Sequence, residues 1–149
     1  MDILIYNNPK NEQGVTPLHL ASAEGHLEIC KQMLKVIEPE NDECIDDLNP
    51  KDNEGSTPLH YSALNGHMSI CRLLLKNLVL KDLLVDINPK NKFGFTPLHF
   101  AEKNGHLPIV EMFVHKIDEL RVTDGNKLTP MHFAAKKGFW KLPKCYSRK

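Results

Sequence analysis

Eight histidines and four cysteines are the side chains of this 149-residue chain best suited to metal binding or nucleophilic chemistry. A zinc site needs about four such ligands converging at about 2 Å, and closely spaced pairs are its mark in a sequence. No Cys-x-x-Cys and no His-Glu-x-x-His occurs. Seven of the eight histidines fall instead into two regular sets. His19, His60, His99 and His132 each end a tetrapeptide of the form Thr-Pro-Leu/Met-His; His26, His67 and His106 each follow a glycine. His115 stands alone and reads as a surface residue. Cys30 and Cys71 lie 14 residues after the motif threonine in successive copies, a place that suits a small buried side chain better than half a disulfide. Cys44 and Cys145 fall in a loop and in the tail. Cysteines this sparse point to a reducing, intracellular environment, cytoplasmic with the nucleus as the alternative.

Other chemistry has no better footing. There is no Gly-x-Ser-x-Gly, no phosphate-cradling glycine loop and no pair of carboxylates framed by apolar residues. The acidic run from Glu38 to Asp47 lacks the alternating ligands and the glycine of a calcium loop and reads as a solvated loop. The chain is therefore expected to be no enzyme, with no cofactor, metal or small-molecule substrate. Nineteen basic and nineteen acidic residues cancel, which argues against nucleic acid as a partner. No apolar window approaches the roughly 18 residues of a membrane span, and the start, Met1 to Tyr6, has no basic leader.

The elements that carry these residues are set by the repeat. The tetrapeptide begins at Thr16, Thr57, Thr96 and Thr129, at spacings of 41, 39 and 33 residues, and repeats of this period build stacked, open-ended architectures. Asn8-Pro9 favours extended or turn backbone, and Asn11 to Gly14 reads as a turn. Thr16 is placed as an N-cap and Pro17 as the first helical residue. A short helix then runs from Pro17 to Glu24 and stops at Gly25, and a longer one from Leu27 to Ile37 carries its apolar residues on one face. The same spacing predicts helices from Pro58, from Met68 to about Leu78 with a continuation toward Leu84, from Pro97, and from Leu107 to about Lys116.

Asp52-Asn53-Glu54-Gly55-Ser56-Thr57-Pro58-Leu59-His60-Tyr61-Ser62-Ala63-Leu64-Asn65-Gly66-His67 resembles the ankyrin repeat nearly in full. The resemblance implies an all-α solenoid of stacked helix-turn-helix units with β-hairpin fingers, and motif histidines that hydrogen-bond within and between repeats. It divides the chain into a lead-in (1–7), repeats at 8–48, 49–87 and 88–120, a partial fourth repeat at 121–138, and a basic irregular tail (139–149). In the fourth copy Lys127 takes the place of Gly14, Gly55 and Gly94 and is strained if the turn keeps its register. Neither end carries a polar cap, so a piece or a short form of a longer array is expected. Leu80 and Asp86-Ile87-Asn88 resemble the surroundings of asparagines hydroxylated in some ankyrin-repeat proteins.

The resemblance also implies a protein partner, held by finger tips and the inner face of the short helices, with no membrane and no nucleic acid involved. On the tips the candidate binding residues are Glu12, Gln13, Val15, Asn53, Glu54, Lys92, Phe93 and Phe95, with Ser56 beside them. On the short helices they are Glu24, Leu64, Asn65, Lys103 and Asn104. Phe93 and Phe95 are the expected anchors. Leu20, Tyr61, Phe100 and Phe133, one residue after each motif histidine, read as a stripe of inter-repeat core. The resulting expectation is a non-enzymatic adaptor or scaffold; the alternative is a regulatory or targeting segment of a larger enzyme, ion channel or signalling protein.

Overall fold

The structure, a computed structural model, describes residues 8–36, 49–80 and 88–116 with Lys127, His132, Ala135 and Lys136; at 36, 79–80 and 114–116 it describes the backbone alone. The lead-in, the acidic run, Cys44, the tail with Cys145, the side chain of His115 and most of the fourth copy lie outside the described residues. Six α-helices are formed: α1 (Pro17–Glu24), α2 (Leu27–Val36), α3 (Pro58–Asn65), α4 (Met68–Leu80), α5 (Pro97–Asn104) and α6 (Leu107–Lys116). α4 runs past Leu78, because the apolar sequence continues where the other long helices meet polar residues.

The short helices stand because their end groups are accounted for. An α-helix leaves its first N–H groups without an internal partner. Pro17 has none to lose, the Asn8 side-chain oxygen accepts from Leu18 N–H at 3.5 Å, and the Thr16 hydroxyl accepts from His19 N–H at 3.4 Å. In α5 the same positions use Asn88 and Thr96, at 3.2 and 3.3 Å. Asn88 is 5% exposed in this role. Each short helix ends on a left-handed glycine, as at Gly25, whose N–H donates to Ala21 O.

α1 packs on α3 and α3 on α5; α2 packs on α4 and α4 on α6. Two helical layers result, and the core lies between them. Leu18, Leu59 and Leu98 of the motif meet Cys30, Cys71 and Val110 from the long helices, all nearly or fully buried. Ile70 and Ile109 are buried in the same way, but Ile29, their counterpart in the first repeat, is 51% exposed. The fingers are seen as their tips: tight turns closed by Asn11 N–H to Val15 O, Asp52 N–H to Ser56 O and Asn91 N–H to Phe95 O. No strand is formed among the described residues; the expected β-hairpins at 8–15, 49–56 and 88–95 are turns without strand arms there. Neighbouring tips are joined by single backbone bonds, Asn53 N–H to Gln13 O and Lys92 N–H to Glu54 O.

Candidate functional site

The histidines that first suggest a site are structural. In His19 the Nδ1 atom accepts from Thr16 N–H at 3.1 Å, and Nε2 lies 3.0 Å from Ser56 O of the next repeat. A backbone N–H only donates and a carbonyl only accepts, so the ring is neutral with its proton on Nε2. His60 repeats this with Thr57 N–H at 3.0 Å and Phe95 O at 3.2 Å. His99 accepts from Thr96 N–H at 3.1 Å. Burial holds His19 below the usual imidazole range and His60 down to about 4, as expected for rings whose charged form would lose its water. His132, the fourth of this set, is exposed.

The second set does different work. His67 Nε2 donates to Ala23 O at 2.9 Å and His106 Nε2 to Leu64 O at 3.0 Å, both across a repeat boundary. These carbonyls are among the unpaired acceptors at the end of a short helix. The ring lies so close to the preceding glycine that a Cβ on Gly25 or Gly66 would fall 2.7 Å from it. Glycine is thus required there twice, for its positive φ of 82° or 80° and for this approach. Its counterpart His26 is exposed. Among the described residues no group of three or more potential metal ligands comes together.

Each residue expected to bind is placed as follows. Glu12, Gln13, Glu24, Asn53, Glu54, Asn65, Lys92, Lys103 and Asn104 are exposed, while Val15 is half-buried. Leu64 is 38% and Phe93 55% exposed. Three of these polar residues also serve the scaffold: the Asn53 amide donates to Glu12 O at 2.8 Å, Asn65 to Tyr61 O and Asn104 to Phe100 O. Ser56 does not belong with the tips, since it is 6% exposed and holds Asn91 Nδ2 at 3.3 Å. Phe95 is half-buried against its own repeat, stacked on Phe100 at 5.6 Å, with the Lys103 ammonium 5.9 Å from its ring centre. That packing leaves Phe93 as the freer anchor.

The stripe one residue after the motif histidines packs between repeats, as expected, with Tyr61 edge-on to His19 at 5.2 Å and Phe100 to His60 at 5.9 Å, but it is not buried core. Leu20 is 56% exposed, and Tyr61 and Phe100 are half-buried. Tyr61 donates to Asp52 Oδ2 of its finger at 2.8 Å, and Phe100 likewise meets Phe95 of its own finger. The stripe therefore runs along the corner between fingers and short helices. A signal for this was present: Leu20 and Glu24, Tyr61 and Asn65, and Phe100 and Asn104 are four apart, one above the other on a helix. Phe133 lies outside the described residues.

One further residue escapes sequence reasoning. Glu102 is fully buried, with no hydrogen-bond partner among the described residues for either carboxylate oxygen, where the earlier repeats have Ser22 and Ala63. Burial pushes its carboxyl up to about 7. Lys127 has φ 60°, close to the 74–79° of Gly14, Gly55 and Gly94, so a lysine carries the left-handed strain expected of it at that place.

The family profile described as Ankyrin repeats (3 copies) matches residues 1–82 and 76–142. The chain belongs to the ankyrin-repeat family. No curated protein matches it significantly. Repeats of this family are, as a class, non-catalytic protein–protein interaction modules, and no described helix is long and apolar enough to cross a membrane.

Proposed function

We propose that this chain is an adaptor or scaffold that binds a segment of a protein partner along its finger tips and the inner corner of its short helices. One observation carries the reading. Of the four large hydrophobic side chains exposed among the described residues, Leu20, Leu64 and Phe93 lie on that corner or its fingers. Exposed apolar groups gathered on one face mark interaction surfaces, and a rigid repeat stack lets them vary without disturbing the core. An intracellular setting belongs to the same proposal. Cys30 and Cys71 are buried free thiols beside Ser22 and Ser62, and burial raises Cys71 to about 11, which keeps it protonated and inert.

The test is Phe93→Ala with Lys103→Ala, measured against a partner identified by affinity capture. Both side chains are exposed, so the melting temperature is expected to stay within a few degrees while affinity falls by about tenfold or more. An unchanged dissociation constant counts against this surface.

A further inference from the structure

Aligned on the motif threonine, the inner surface resolves into columns of equivalent residues. One is apolar from end to end: Leu20, Tyr61, Phe100. The columns beside it change chemistry along the stack. At the tips, Glu12, Asn53 and Lys92 run from acidic through neutral to basic. On the short helices, Ala23, Leu64, Lys103 and Lys136 become basic, and Glu24, Asn65 and Asn104 lose their acid. All the charged members are exposed. Glu54 adds an acid to the second finger and Lys127 a base to the fourth. Lys10, Lys51 and Lys90 recur in the first three repeats, with Thr123 at that place in the fourth, and so contribute no gradient across those three; the Lys10 ammonium donates to Lys51 O at 3.0 Å. Among the described residues the ion pair formed is Lys31 with Glu28 on α2, away from this corner. The inner-face carboxylates and ammonium groups are thus not spent on each other, and the chain as a whole carries no net charge that would produce the gradient.

We infer that the partner segment is itself polar in charge: basic where it lies on the first repeat, acidic where it lies on the third, with bulky apolar side chains between. This rests on the inner corner being the binding surface and adds the chemistry of what occupies it. Packed helices stand about 8–10 Å apart. A polyproline-II segment advances about 3.1 Å per residue and presents the same side every third residue, so every third side chain meets successive members of the apolar column. Charge complementarity then sets the direction of the segment and rejects segments of a single sign.

Three synthetic peptides test this against the full chain. They share a core with phenylalanine at every third position and differ at the ends: one basic at one end and acidic at the other, one acidic at both, one basic at both. The mixed peptide is expected to bind about tenfold more tightly than either of the others at low salt, with the gap narrowing as salt rises. Glu12→Lys with Glu24→Lys is expected to transfer the preference to the peptide acidic at both ends. Leu20→Ala with Phe93→Ala, at two exposed side chains, is expected to weaken all three, and Ile29→Ala on α2 none. Equal affinity for the three peptides overturns the polarity and leaves the inner-corner reading standing. Binding that ignores Leu20→Ala with Phe93→Ala, or that is lost with Ile29→Ala, overturns both.

Discussion

His60 and His67 stand at opposite ends of the same short helix, α3, and use their nitrogens differently. His60, at the N-terminal end, accepts with one nitrogen and donates with the other, joining Thr57 N–H to Phe95 O of the following repeat. His67, just past the C-terminal end, donates to Ala23 O of the preceding repeat. The first ring works only when neutral. The second only donates, to a carbonyl left unpaired at a helix end. Two identical side chains seven positions apart thus fasten the stack in opposite directions along it.

The most damaging way to break the comparison is His60→Ala. It leaves a buried N–H and a buried carbonyl unpaired and opens a cavity, so about 3–4 kcal/mol of stability is expected to be lost in urea unfolding. Protonation attacks the same group. Unfolded histidine titrates near 6.5 and folded His60 near 4, so the unfolded chain gains a proton first and stability falls as pH drops through that window. The expected contribution is about 3 kcal/mol, present above pH 6.5 and gone near pH 4.

Glu102 obscures that slope and can be removed. Its folded carboxyl titrates near 7 against 4.5 unfolded, so its penalty grows as pH rises between the two, opposite in sign to His60. Glu102→Gln is expected to stabilise the chain by about 2 kcal/mol at pH 8 and little at pH 4.5, which leaves the histidine slope alone in view. The smallest effect belongs to His67→Ala. Ala23 O can turn to water at this half-buried site, so about 1 kcal/mol is expected. A loss for His67→Ala as large as for His60→Ala would erase the distinction between the two sets.

Much of this architecture was readable from residue types alone. Thr16, Pro17 and Gly25 bound α1 where local sterics and end-group hydrogen bonding require, and the same word bounds α3 and α5. The inner surface was read only in part. Exposed tips such as Glu12 and Phe93 followed from the turn, but Leu20, Tyr61 and Phe100 were assigned to the core because apolar type was weighed above helical position. Asn53 shows the converse: it is exposed as expected, yet its amide ties two fingers together.

Local grammar therefore determined the helices, their caps and their stacking order, because each depends on residues within one turn of each other. Tertiary structure decided what that grammar leaves open. His67 gained a partner only because Ala23 O lies on the neighbouring repeat, and Glu102 lost its solvent only because helices close over a position that elsewhere holds a small side chain. Phe95 is half-buried only because Phe100 folds back beside it. Burial and hydrogen bonding between repeats are properties of the pair, and no single repeat contains them.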